Sequence, residues 1–587
     1  MTPDAILSLV VVSGVLVGLA INRWPPEWLV LAAVSVLLLS GILTPEMAFA
    51  GFSNPGMLTV GALYVVAGGV QETGALRFLT DRALGRPAKV SGALSRIMPL
   101  ASLLSAFLNN TPIVALLIGP VQVWAKKLKL SASRLLLPLS YAAIMGGTLT
   151  LIGTSTNLVV DGLLQTREGH PGLGILSIAP VGLAVLAVGT LWMLTVGWRL
   201  LPERKGLVQE LENPREYSVV MRVLGEGPLV GLTLADANLR HLEHCYLAEI
   251  ERRGSLLSAV GSDRVLQADD RLIFVGVADC AHEVRGFRGL EMDVRTGLDL
   301  EHHQRRLVEV VLSPRAPIVG QTVRSSKFRD QYKAVILAVS RDGERIASKI
   351  GDIVLKGGDT LLLETSERFV EVHRYDPAFL LVSTLDTPTP PNTKRANLAL
   401  LILLTMVGIN LAGVVSIVEA ALAAAVLMVF TGCLTPLQAG RSLDGSVLVV
   451  IAGSLALGAA LTATGAAAWL AAGLMGFSGT HVLLALVLVY LMTIIFTELI
   501  TNNAAAVLMF PIAVAVSEQL GVSVLPFAVA VMFAASASFL TPLGYQTNLM
   551  VYGPGGYKLT DYLKAGFPMT VLTSATAILV IPMVFPF

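Results

Sequence analysis

The chain has 587 residues, of which 54% are hydrophobic and 14% charged, with a net charge of +1. Soluble globular chains carry about 25% charged residues, so an ordinary soluble enzyme is excluded. The near-neutral total, with no lysine- or arginine-rich tract, argues against a nucleic-acid partner.

The charges are unevenly spread: 19 fall in residues 1–202, 56 in 203–395 and 8 in 396–587. Two apolar blocks therefore flank one soluble block. That is the pattern of a chain embedded in a lipid bilayer with one central insertion.

Apolar runs in the first block cover 5–22, 28–45, 47–71, 97–125, 135–160 and 169–198. A crossing needs roughly 20 residues. The 5–22 run lacks a basic leader and another apolar run follows at once, so it reads as a retained helix and not a signal peptide. The 97–125 run reads as a re-entrant hairpin turning at Asn109-Asn110-Thr111-Pro112. Arg77, Arg82, Arg86, Lys89 and Arg96 before it then share a face with Lys126, Lys127, Lys129 and Arg134 after it. Arg23, Arg199, Arg204 and Lys205 fall on the same face, while the opposite loop 44–56 has no basic residue. Basic residues concentrate in cytoplasmic loops. Residues 1–202 are thus expected to form five spans plus one hairpin, with the N-terminus outside and the soluble block cytoplasmic.

Within the soluble block, 206–290 and 303–375 repeat at an offset of 89. Pro228–Thr233 matches Pro317–Thr322, and Val265–Leu272 matches Val354–Leu361. Alternating apolar runs such as Tyr246–Ile250 and Ala334–Val339 read as strands, and an Asp-bearing turn precedes the last strand of each copy. Two small α+β modules are expected. No GxGxxG or Walker pattern occurs, so nothing points to a nucleotide. Residues 376–395, with Thr387-Pro388-Thr389-Pro390-Pro391, read as a stiff linker. Cys245, Cys280 and Cys433 lie far apart without metal-ligand spacing, which suits plain packing or a reducing compartment.

The block 396–587 offers spans near 397–413, 415–433, 446–464, 523–552 and 565–586, and a hairpin 482–518 turning at Thr501-Asn502-Asn503. Arg441, Lys558 and Lys564 come out cytoplasmic; the uncharged loop 465–480 and the C-terminus come out external. Gly41–Pro45 recurs as Gly432–Pro436, an offset of 391. Thr73-Gly74-Ala75 and Thr464-Gly465-Ala466 share this register, as do Gly153–Leu158 and Gly544–Leu549. The hairpin tips align at 392. Five spans is an odd number, so the second copy inserts upside down, the architecture of secondary transporters.

Non-helical backbone at membrane depth is tolerated only where it is buried in protein or lines a watery cavity. Each repeat supplies two such places: a hairpin tip and a helix break, at Gly153–Asn157 and Thr541–Asn548. Their carbonyls, hydroxyls and amide oxygens suit Na⁺, and half-helix N-termini suit an anion without any intramembrane arginine. A lone Ser, Thr or Asn reads as a helix-packing contact; four polar clusters at repeat-related positions read as a site. Glu498, an acid within the membrane, is either a functional group or a hydrogen-bond partner of the hairpin. Glu419 and Glu72 flank span ends, and His170 falls in an external loop with no role.

With these motifs the membrane blocks resemble the divalent anion/sodium symporter family, carriers of sulfate and of di- and tricarboxylates. That family carries Ser-Asn-Thr at each hairpin tip; here Asn109-Asn110-Thr111 and Thr501-Asn502-Asn503 stand in those places and depart from the motif. The resemblance implies an α-helical polytopic membrane protein of two inverted repeats, each with five transmembrane helices and one re-entrant hairpin. It implies a homodimer working by an elevator mechanism. It places anion binding at Asn109, Asn110, Thr111, Thr154, Thr501, Asn502, Asn503, Thr541 and Pro542. One Na⁺ site falls to Ser105, Asn110, Gly153 and Asn157, a second to Thr497, Asn502, Leu540 and Asn548, and no organic cofactor is implied. The central modules resemble TrkA C-terminal domains, which suggests bracing of a dimer or binding of a small regulatory ligand.

The expected function is Na⁺-coupled symport of a small divalent anion, sulfate first, in the cell inner membrane. A Na⁺-coupled di- or tricarboxylate carrier and a Na⁺/H⁺ antiporter using Glu498 are the alternatives. A K⁺ channel needs a TVGYG-like carbonyl ring, of which Leu543-Gly544-Tyr545-Gln546 is only an echo. No nucleophile–base pair or metal-ligand cluster supports an enzyme.

Overall fold

The computed structural model describes the chain apart from residues 22–23, 76–84, 86, 88, 129, 167–169, 171, 205–217, 240–241, 243–244, 253–254, 259–263, 277–279, 293–304, 315, 342–343, 347, 349, 367, 374–375, 385–394 and 543. Arg23, Arg77, Arg82, Arg86, Lys129 and Lys205, used above to orient the chain, lie outside the described residues, as do Leu543 and the proline-rich stretch 387–391. The chain divides into two compact units, one of residues 1–204 with 388–587 and one of 205–387.

The first unit is helical. Among the described residues, six helices are long and apolar enough to cross a bilayer: Pro45–Glu72, Ala179–Leu200, Gly445–Ala463, Val482–Leu499, Asn502–Leu520 and Leu559–Val584. Shorter apolar helices include Pro3–Leu19, Pro26–Leu39, Ala396–Leu411 and Ile417–Phe430.

The helices of the first block recur in the same order in the second. Pro26–Leu39 is followed about 391 residues on by Ile417–Phe430, Pro55–Glu72 by Gly445–Ala463, and Val90–Ser105 by Val482–Leu499. Asn110–Lys127 corresponds to Asn502–Leu520, Ser133–Gly147 to Leu525–Ser536, and Ser155–Gln165 to Gln546–Tyr552. Local chemistry repeats as well. Thr44 and Thr435 accept from the N–H groups of Met47 and Gln438, and Asn54 and Asp444 cap the helices that follow them. Such caps supply acceptors for N–H groups that a helix start leaves free.

Packing between the copies is reciprocal. Pro55–Glu72 packs on Ile417–Phe430, and Gly445–Ala463 on Pro26–Leu39; Ser133–Gly147 meets Gln546–Tyr552, and Leu525–Ser536 meets Ser155–Gln165. Exchanging the copies preserves the pattern, as in a self-complementary two-fold pair.

Two loops expected from sequence are helical instead. Within 44–56, Thr44 caps a helix Pro45–Phe49 that continues as the 3-10 turn Ala50–Ser53, with Pro45 at a helix start, where its missing N–H costs nothing. Within 465–480 lies the helix Ala466–Ser478. Its alanines are strong helix formers, and its 13 residues fall short of a crossing.

The second unit holds two five-stranded antiparallel sheets. The first runs Ser255–Ser258, Cys245–Arg252, Arg271–Gly276, Ser218–Val223, Leu290–Met292. The second runs Phe379–Thr384, Arg305–Leu312, Thr360–Ser366, Val335–Arg341, Glu344–Arg345, the same order read from the other end. Strand Leu290–Met292 carries the first module past residue 290. Strand Phe379–Thr384 pairs with Arg305–Leu312, so this part of 376–395 belongs to the second sheet and not to a linker. Its Phe-Leu-Leu-Val run covers the sheet edge.

Each sheet carries an ion pair between a half-buried arginine and a buried aspartate. Arg252 donates through Nε and Nη2 to both oxygens of Asp270, each at 2.7 Å, and to the Val265 carbonyl at 2.8 Å. Asp270 also accepts from the Gln267 N–H at 2.8 Å. Arg341, Asp359, Val354 and Lys356 repeat the arrangement 89 residues on, with distances of 2.7, 2.7, 2.7 and 2.8 Å. The Asp270 carboxylate, by hydrogen bond and charge, holds the Arg252 guanidinium above its ordinary value. Sequence matching found the aspartates of these turns but not their arginines. Asp359→Ala strips the turn of its acceptor and leaves a half-buried guanidinium uncompensated. It is expected to destabilise the central unit by about 2–4 kcal/mol. Trypsin cleavage within 205–387 of the full-length protein, followed with temperature, checks this; an unchanged midpoint removes the structural role.

Candidate functional site

The helices Ser133–Gly147 and Leu525–Ser536 both stop inside the bundle, and the chain resumes as Ser155–Gln165 and Gln546–Tyr552. Each break leaves carbonyls without helical partners, and each is closed by one asparagine. Asn157 Nδ2 donates to the carbonyls of Gly147 (3.2 Å) and Thr150 (3.0 Å). Asn548 Nδ2 donates to those of Ser538 (2.9 Å) and Thr541 (3.2 Å). The two sets match at the offset of 391.

A threonine then ties each break to the hairpin of its own repeat. The Thr150 hydroxyl donates to the Ala106 carbonyl. The Thr541 hydroxyl donates to Glu498 Oε2 at 2.7 Å, and the Leu540 N–H donates to Oε1 at 3.1 Å. Glu498 is thus a hydrogen-bond partner that fastens the second hairpin to the second break.

The tips cross over. Asn110, fully buried at the start of its helix, places its amide between Ser105 Oγ and the Tyr545 hydroxyl, 2.7 Å from the latter. With its nitrogen toward Ser105, that amide also donates to the Ala143 and Gly153 carbonyls at 3.2 Å, and its oxygen accepts from Tyr545. Thr111 Oγ1 donates to Gln546 Oε1 at 3.2 Å. In the other direction, Ser155 and Thr156 donate to Asn503 Oδ1 at 3.0 and 3.3 Å. Thr154 Oγ1 lies 3.2 Å from the Tyr545 hydroxyl. The tip of each repeat therefore meets the break of the other.

The remaining expected residues fall as follows. Asn109 precedes the first-tip helix and lines a small pocket with Tyr64, Phe107, Ile152 and Ser155. Thr501 is exposed at the equivalent place in the second repeat. Asn502 accepts from the Asn503 N–H at 2.9 Å, and Thr497 Oγ1 donates to the Ala535 carbonyl at 2.7 Å. Pro542 is buried beside Thr541, whose hydroxyl is engaged by Glu498 and not by a tip. Tyr545 and Gln546 were not singled out from sequence. The offset of 391 sets them opposite Thr154 and Ser155, so the signal was present in the repeat.

The oxygens around the first break are close and uncharged. A Cβ at Gly153 would lie 2.6 Å from the Gly147 carbonyl and 2.7 Å from the Ser105 carbonyl, so only glycine permits this approach. Asn157 Oδ1 is buried with no donor among the described residues. Ser105, Asn110, Gly153 and Asn157 are thus brought together; the Ser105 and Gly147 carbonyls and Asn157 Oδ1 are oxygens of the kind that unwound helices present to Na⁺, with the Asn110 amide nitrogen turned toward Ser105 and Gly153. Around the second break a Cβ at Gly544 would lie 2.2 Å from Ser538 Oγ and 2.8 Å from Glu498 Oε2. Asn548 Oδ1 already accepts from Ser140 Oγ at 2.7 Å, so the two sets are not chemically equal.

Broken helices and paired polar tips inside an apolar helical bundle define a multi-pass membrane transporter, not an enzyme. The citrate transporter family model matches residues 16–532, and the chain belongs to that family. It is 35% identical to a Chlamydomonas reinhardtii protein named as a sulfur deprivation response regulator, over 92% of this chain and 94% of the relative. An uncharacterized transporter of Synechocystis is 33% identical over 98% and 96%. Sodium/sulfate cotransporter 1 of Chlamydomonas reinhardtii is 28% identical over 90% and 84%.

Gly153→Ala forces the Gly147 and Ser105 carbonyls apart while keeping the chain otherwise intact. Transport by reconstituted protein is expected to fall at least about tenfold, since sub-ångström displacement of positioned groups is costly. Size-exclusion chromatography verifies folding, and full activity in a folded variant removes Gly153 from the site.

Proposed function

We propose that the chain is a Na⁺-coupled secondary symporter of a small divalent anion, sulfate first. The observation that carries this reading is the crossing of tips and breaks, which gathers neutral donors from both repeats beside the oxygen cluster at Gly153. The helices starting at Asn110, Ser155 and Asn502 direct free N–H groups and the positive ends of their dipoles to the same region. These donors hold the anion. Na⁺ at Ser105, Gly153 and Asn157, with Asn110 turning its amide oxygen toward the ion as it binds, offsets its charge, and a second Na⁺ falls to Thr497, Asn502, Leu540 and Asn548. The name of the sodium/sulfate relative supports both the ion and the substrate.

Reciprocal packing and an odd span count support two inverted repeats. Hairpins and broken helices pack on one another and meet the other helices along several seams, two of them lined with glycine. Those two are Pro55–Glu72 against Ser155–Gln165 and Gly445–Ala463 against Asn502–Leu520. Gly56 faces the Leu158 carbonyl, Gly162 faces Asn54, and Gly458 faces Val507 and Pro511. Small residues at both seams suit an elevator-type slide of one group past the other. Charge asymmetry supports a cytoplasmic central unit and external termini in the inner membrane. A homodimer, TrkA-like central modules and a small regulatory ligand belong to the same proposal.

A carboxylate carrier is the second reading, favoured by the family's description as citrate transporter. Proton antiport through Glu498 is less well supported, because both its oxygens accept structural hydrogen bonds. In proteoliposomes, labelled sulfate uptake is expected to require an inward Na⁺ gradient and to collapse when choline replaces Na⁺. Uptake indifferent to the gradient would end the coupling proposal. A purified protein stabilised by sulfate only in Na⁺ is the matching expectation from mass action.

A further inference from the structure

Threonine and tyrosine stand at repeat-related positions in the two breaks, on nearly the same backbone. Thr154 has φ −140 and ψ 144; Tyr545 has φ −141 and ψ 133. Each directly precedes a resumed helix, and neither side chain caps it. The two-fold relation is broken here by side-chain size alone. Where the first break leaves the space of a hydroxyl and a methyl, the second fills it with a phenol ring. That ring is buried, and its hydroxyl reaches the far side of the gap, to Asn110 at 2.7 Å and Thr154 at 3.2 Å, with Asn502 alongside.

We propose that Tyr545 sets the length of the transported anion: its ring occupies the space between the tips that the far carboxylate of a dicarboxylate needs. The site then takes a compact tetrahedral oxyanion and turns away four-carbon and longer carboxylates. The proposal rests on the symport reading. The phenol supplies one O–H donor; it is spent on the Asn110 oxygen and passes to an anion oxygen when the anion seats. A hydroxyl in contact with a small anion adds affinity, whereas a ring in the path of a longer one excludes it. Specificity built by obstruction as well as attraction is a general device.

The test measures uptake of labelled sulfate by the full-length protein in proteoliposomes under a Na⁺ gradient, with unlabelled sulfate, succinate or citrate as competitor. For the natural chain, succinate is expected to compete about tenfold or more weakly than sulfate. Tyr545→Thr, which restores the residue of the first break, is expected to narrow that gap by about tenfold. Tyr545→Phe keeps the ring and is expected to keep the gap while raising the KM for sulfate. Should Tyr545→Thr not fold, Tyr545→Leu, also short of the tips, carries the same expectation. Equal competition by succinate and sulfate in the natural chain overturns the assignment, as does an unchanged ratio in the shortened variants or a narrowed one in Tyr545→Phe. No Na⁺-dependent uptake of either anion by the natural chain would instead overturn the symport reading and this inference with it.

Discussion

The helical unit depends on how an interrupted helix survives without water. A break at membrane depth exposes carbonyls that lipid cannot satisfy, and each such group costs several kcal/mol if left bare. Here one asparagine per repeat closes the gap, bridging a carbonyl at or just past the end of the incoming helix to one further along the loop. With Asn157 and Asn548 in place, the short resumed helices keep their direction. Their starts then point into the bundle, where the hairpin tips can meet them.

The crossed pairing follows. Because the copies pack reciprocally, the tip of one lies against the break of the other, and a single cluster draws on residues 391 and 435 positions apart. Neither repeat alone assembles it. The two halves are nonetheless unequal. The first break has two converging carbonyls and an amide oxygen without a donor among the described residues; the second has a carboxylate, a hydroxyl and a satisfied amide. A symmetric frame thus carries an asymmetric site, which suits the binding of an anion and a cation side by side.

Much of this was legible in the chain. The offset of 391 aligned tips with tips and breaks with breaks, and the offset of 89 paired the two sheet modules. What the offsets did not reveal was partner choice. The Thr541-Pro542 pair drew attention by residue type, yet its threonine serves Glu498, and the contact with the first tip falls to Tyr545 and Gln546. Arg252 and Arg341 sit 18 residues from the aspartates they clamp, which lie in the turns before the neighbouring strands, and no local spacing marks such a pair. Ala466–Ser478 lies in the uncharged stretch 465–480 between spans and so reads as an external loop, although its alanines favour a helix wherever it lies.

The order of residues by itself determined the two apolar blocks, the charge-rich central block and the repeat register, because solvent preference and internal similarity are written residue by residue. Only the tertiary structure decided which tip faces which break, that Glu498 fastens the second hairpin to the break of its own repeat, and that a tyrosine fills the gap where its counterpart is a threonine. Those facts turn on side-chain reach and on packing between segments hundreds of residues apart, and neither quantity is local in sequence.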